Sequence, residues 1–222
     1  MAGANHYRRV LGNFATVHST GPAFYTDAYS MFERSLRLYL YLLDNDGEEP
    51  PGGVAGMVDN LPDLEQHVVK AFPTLYIPVL SHPNAIFSPT VKASNAELRI
   101  GGGSTRLDNV LVETGGVPYY AQLLLLFRAE HGGTIDCAFI WWYNETGEDA
   151  TRCALLSRAY TRVRGVRERA PWTQVVSIDQ VQCRVHLIPR RDSETWALST
   201  HDFRDNKYMF SLPHSKGANF QA

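Results

Sequence analysis

Trp141, Trp142 and Tyr143 stand in a row at the end of a strand-like segment, and Tyr119 and Tyr120 open the preceding one. If the two segments pair as an antiparallel hairpin, these rings meet at one end of it. Aromatic faces grouped there could stack bases or cage a methylated lysine. Alternation along a strand sends Trp141 and Tyr143 to one face and Trp142 to the other. One set then fills a core, and the other joins a rim to which Tyr160 also belongs.

The second candidate surface is basic. Arg152, Arg158, Arg162, Arg164, Arg167 and Arg169 fall within eighteen residues, and Arg184, Arg190 and Arg191 follow. A guanidinium is a planar fork of N–H donors that suits phosphate or carboxylate oxygens. Tyr160, Arg162 and Arg164 alternate with Thr161 and Val163, so part of the run is either a strand with a basic face or a solvated loop.

Catalytic and metal chemistry find little support. Gly101-Gly-Gly-Ser-Thr-Arg has neither the Gly-Lys-Ser/Thr ending nor the Gly-x-Gly-x-x-Gly spacing of a phosphate-cradling loop, and reads as a turn. The eight histidines are scattered. Cys183 and His186 are three apart on a strand, hence on opposite faces, which suits no shared ion. No Gly-x-Ser-x-Gly elbow appears. Glu145, Glu148 and Asp149 lie in a stretch of loop composition, where carboxylates are solvated. We therefore expect a non-catalytic protein without cofactor or metal.

The elements that must position these residues follow from periodicity. Tyr29, Phe32, Leu36, Leu40 and Leu43 recur at three- and four-residue spacing, predicting a helix over 27–43, capped by Thr26 or Asp27. Asp44 to Gly53 is a linker composition, and a second helix is expected from Leu61 to Ala71. Strands follow at 75–80, 109–113, 119–128, 134–143, 174–178, 182–189 and 195–199. A five-residue link with Gly132-Gly133 joins the central pair. The fold class expected is α+β, mainly β, with N-terminal helices packed on an antiparallel β-barrel. The boundary falls between a helical region (1–71) and a β-barrel-like domain (72–222).

Composition agrees with a packed core: 44% of the 222 residues are hydrophobic and 20% charged. No apolar run has the roughly 18–20 residues a membrane span requires. No secretory signal is visible at the N-terminus, so Cys137, Cys153 and Cys183 are expected as free thiols, and the nucleus or cytoplasm as the location. Residues 1–150 carry 9 Lys/Arg against 17 Asp/Glu (net −8), and residues 151–222 carry 12 against 6 (net +6). Such asymmetry either neutralises itself within the fold or marks a surface for an acidic partner.

Two resemblances attach to these segments. Val110-Leu-Val-Glu, Tyr119-Tyr-Ala-Gln-Leu-Leu, Ile140-Trp-Trp-Tyr and Val175-Val-Ser-Ile-Asp-Gln-Val are similar in order to the bromo-adjacent homology (BAH) module, with Asn144-Glu145 where that family has Arg-Pro. This likeness implies a barrel that binds chromatin proteins. Gly103-Ser-Thr-Arg-Leu-Asp, Ala121-Gln-Leu, Ile178-Asp-Gln-Val-Gln-Cys-Arg-Val-His-Leu-Ile-Pro and Phe203-Arg-Asp-Asn-Lys-Tyr resemble uncharacterised fungal transposon-associated proteins, which implies a nuclear role but no reaction. The expected function is a nuclear protein-interaction or chromatin-binding module that takes a protein or histone peptide at its aromatic rim. The alternatives are nucleic-acid binding through the arginine-rich surface and an enzyme of unknown type.

Overall fold

The computed structural model describes residues 23–50, 64, 69–77, 90–94, 100, 105–148, 154–162, 169–190 and 195–198. Two helices, α1 (Ala23–Ser30) and α2 (Phe32–Asp44), replace the single helix expected at 27–43. The axis breaks at Met31, whose N–H reaches back only three residues, to the Ala28 carbonyl at 3.2 Å. Tyr29, Phe32, Leu36 and Leu40 are buried as their spacing requires. Leu43, in the last turn, is instead 46% exposed.

Fourteen strands follow in the described residues. The centre is a long hairpin of β6 (Val117–Glu130) and β7 (Thr134–Glu148), paired antiparallel from Ala121↔Trp142 to Glu130↔Thr134. Gly132, at φ +60° in the three-residue connection, supplies the left-handed conformation such a loop needs. A bulge at Leu124 interrupts the ladder, and the Tyr29 hydroxyl donates to the Leu124 carbonyl at 2.9 Å. The helix thus satisfies a backbone group of the sheet it covers.

Each outer edge of the hairpin is tiled by two strands. Along β6 lie β5 (Asn109–Thr114) and β1 (Val69–Phe72). Along β7 lie β8 (Ala154–Arg158) and β11 (Thr173–Ser177). The chain branches outward between the members of each pair. β2 (Thr74–Tyr76), β3 (Thr90–Ser94) and β4 (Arg106–Leu107) form a small sheet beside β6. β9 (Tyr160–Arg162) and β10 (Arg169–Pro171) form a ribbon beside β7. Three backbone bonds pin the root of that ribbon: Trp142 N–H to Trp172 O, Trp172 N–H to Ala159 O, and Ala159 N–H to Trp142 O, at 2.9–3.1 Å.

The complete ladder runs β12 (Val181–Val185), β5, β6, β7, β8, β14 (Thr195–Leu198), β13 (Leu187–Pro189). Every pairing in it is antiparallel. No ladder bonds link β12 to β13 among the described strands, so the expected closed barrel is corrected to an open, mainly β assembly. Its two ends are nevertheless successive pieces of chain, separated by His186 alone.

Further expectations change with the structure. Residues 69–71 are strand rather than the end of a second helix, because Val69 and Ala71 pair with Ala129 and Phe127 of β6. β1 therefore crosses the boundary drawn at 71/72. The rest of that helix lies outside the described residues apart from the buried Leu64. Glu145 and Glu148 belong to β7 rather than to a loop, held by Leu156 and Ala154 of β8; Asp149 lies outside. Pro78 and the turn at 101–103 also lie outside.

Both faces of the hairpin are covered. Tyr29, Phe32, Leu36 and Leu40 pack with Leu125, Phe127, Phe139 and Trp141 on one face. Val91, Val110, Val112, Leu123, Ile140, Trp142 and Val176 pack on the other.

Candidate functional site

All three aromatic residues of the expected rim are buried: Trp141 is 0% exposed, Trp142 7% and Tyr143 7%. Alternation does place Trp142 opposite the other two, but with a core on each face neither set reaches solvent. Each polar ring atom is also satisfied internally, as buried indole and phenol groups require. Trp141 Nε1 donates to Ala159 O at 2.8 Å, Trp142 Nε1 to Gln174 Oε1 at 3.0 Å, and Tyr143 Oη to Asn109 Oδ1 at 3.0 Å. Tyr119 meets the Trp142 ring edge-on at 5.8 Å, and Tyr120 is half-buried. Burial, with Glu145 nearby, pushes the Tyr120 phenol up to about 12. The aromatic cage is therefore corrected: these rings are structural, and Tyr160, 41% exposed, is the member of the set that stays substantially in solvent.

The arginines divide by position. Arg158, on the last residue of β8, faces inward opposite Tyr143. Its guanidinium lies 4.7 Å from the Trp141 ring centre and 5.1 Å from that of Trp196, and Nη2 donates to Gln122 Oε1 at 3.1 Å. It acts as a clamp between strands, not as a surface contact. Gln122, Asn109 and Trp196 complete this cluster and were not singled out from sequence. The visible signal was Gln122 itself, one amide inside the apolar run 119–127.

Arg162 and Arg169 are direct cross-strand partners on the β9–β10 ribbon. The chain between them, 163–168, carries Arg164 and Arg167 against Glu168. Arg152, Arg164, Arg167 and Arg191 lie outside the described residues. Arg184 is exposed on β12, separated from β7 by β5 and β6 in the ladder, and Arg190 is exposed at the connection between β13 and β14. The described arginines therefore do not make one surface. The ribbon gathers Arg162 and Arg169, with Arg164 and Arg167 on the chain joining them.

Like charges directly opposite on a two-stranded ribbon repel. An anion placed between them removes that cost, and a guanidinium binds phosphate oxygens through paired N–H donors. Tyr160 occupies the same ribbon, opposite Pro171. The pleat puts positions 160, 162, 169 and 171 on one face, and 161 and 170 on the other.

The two described cysteines are unsuited to nucleophilic work. Burial pushes the Cys137 thiol up to about 12 and the Cys183 thiol up to about 11, far from the depressed values of reactive thiols. Both are free; Cys153 lies outside the described residues. Cys183 is half-buried on β12, and the exposed His186 lies between β12 and β13 rather than on the expected continuous strand. Among the described residues no group of three or more His, Cys, Asp or Glu could hold a metal ion, and no helix is long and apolar enough to cross a membrane. No family model, no curated protein and no solved structure matches this chain.

Proposed function

We propose that this chain is a non-catalytic nucleic-acid-binding module whose contact surface is the β9–β10 ribbon. The observation that supports it is the cross-strand register Arg162↔Arg169, which puts two arginines at directly opposite positions of the β9–β10 ribbon. In sequence, the connecting residues 163–168 carry Arg164 and Arg167 against Glu168. A nuclear, transposon-associated setting, which the sequence resemblance implies, would bring such a surface to nucleic acid. Binding of a histone peptide in a cage of Trp141, Trp142 and Tyr143 has lost its physical basis, since those rings are buried.

The test is fluorescence anisotropy of the full chain against labelled oligonucleotides and a trimethyl-lysine histone peptide at 50 and 200 mM salt. Phosphate contacts release counterions, so four of them should weaken binding by about 50- to 150-fold over that range. The double variant Arg162→Gln/Arg169→Gln should flatten the log–log salt slope by roughly 1.5–2. Oligonucleotide binding indifferent to salt and to the double variant would overturn the reading. So would salt-insensitive capture of the peptide in place of the oligonucleotide.

A further inference from the structure

We infer that the ribbon selects single-stranded over duplex nucleic acid, with Tyr160 as the platform on which an unpaired base stacks. The inference rests on the ribbon being a nucleic-acid surface and adds the kind of strand it takes. Tyr160 is 41% exposed on the ribbon that carries Arg162 and Arg169. Its ring is nonetheless held: it meets Trp141 in a T-shaped contact with centroids 5.5 Å apart and planes at 86°. Trp141 is itself fully buried, bonded through Nε1 to the carbonyl of Ala159 beside Tyr160, and covered by the Arg158 guanidinium. An exposed ring on a buried support stacks a ligand with little ordering cost.

Position supplies the rest. Along an extended strand, two residues span about 6.6 Å. Register position 162 thus lies one such step from Tyr160 on the same face, and position 169 lies across the ribbon from 162, diagonal to Tyr160. A cationic track beside a stacking ring is the arrangement that binds unpaired strands without sequence preference, because every base has a π-face. Duplex bases have theirs covered by neighbours, so a duplex could use the arginines but not the tyrosine.

The experiment compares a 15-nucleotide oligo-dT, an abasic oligomer of equal length, and a duplex of equal length, each bound to the full chain. The oligo-dT should bind most tightly. Tyr160→Leu, which keeps apolar volume against Trp141, should weaken it by about 5- to 100-fold while leaving the salt slope unchanged. Tyr160→Phe should restore it, and the abasic oligomer should bind the native chain as weakly as oligo-dT binds Tyr160→Leu. Thermal melts of the variants confirm that they remain folded. Duplex binding equal to or tighter than oligo-dT, or indifference to Tyr160→Leu, overturns the inference; the broader reading survives if Arg162→Gln/Arg169→Gln still flattens the salt slope. Failure of every oligomer to bind removes both.

Discussion

Cys137 sits beneath α2 in contact with the Tyr39 hydroxyl, and burial pushes both groups up to about 12. A thiol so placed is almost wholly protonated at pH 8, and only the thiolate reacts. Cys183 is half-buried and its thiol is likewise raised, to about 11. Neither should therefore react with an aromatic disulfide reagent at pH 8 in the folded chain, and both should react at once in denaturant. A fast native phase assigned by peptide mapping to Cys137 or Cys183 would contradict the burial described. Arg128 and Asp136 illustrate a different balance at the surface. The guanidinium binds the carboxylate through Nε and Nη2 at 2.6 and 2.8 Å and holds its carboxyl below the usual range. A depressed carboxylate contributes stability above its ordinary value near 3.9, and that contribution fades as pH falls through the lowered one. Asp136→Asn should accordingly lose less of its urea midpoint than the native chain between pH 5 and pH 2.5.

At the scale of elements, the β5–β6 connection shows how little sequence a turn needs. Gly115 and Gly116 both have positive φ, +59° and +75°, in a two-residue hairpin turn. Nothing lies within 4 Å of a side chain added at either position. Gly116→Ala should still cost about 1–2 kcal/mol, because the penalty is in the backbone and not in a clash. Chemical denaturation with an unchanged m-value would check it. The central hairpin was legible in the same way, from apolar runs flanking a Gly pair. Less legible was which strand faces are covered. Trp142 alternates with Trp141, and alternation marks two faces without saying that both are buried; this depends on α2 and the β3 and β11 strands, distant in sequence. Val69 and Ala71 fitted a helical pattern until the β6 edge offered four residues of pairing, an interaction that local propensity does not register. The juxtaposition of Arg162 with Arg169 was hidden because the intervening six residues could as easily have been loop between unrelated strands.

Across the whole molecule, the helices and the sheet draw on one core. Phe32 meets Phe127 and Phe139 edge-on, each at 5.2 Å, so the N-terminal segment is bound to the centre of the longest strands. Phe32→Ala should cost about 3–5 kcal/mol. Unfolding followed by tryptophan fluorescence and by far-ultraviolet circular dichroism should give coincident transitions in both chains. Separate transitions would mean that the division drawn near residue 71 is energetically real. His131 and Asp44, 2.7 Å apart, add a polar tie between the end of α2 and the hairpin loop.

The single residue between β12 and β13 has a consequence for the order of assembly. The β6–β7 hairpin spans three residues, a closure that takes microseconds. By contrast, β12 must find β5 across most of the strand-forming chain, pairing Asn109 with Val185, and loop entropy makes that search late and slow. Once β12 docks, however, β13 follows one residue behind it and tethers its hairpin partner β14 near β8, with which β14 pairs. Its effective concentration there is set by the tether and no longer by the length of the chain. The two ends of the ladder therefore form as one cooperative event, and a chain cleaved at His186 would lose that coupling while keeping every side chain of both strands.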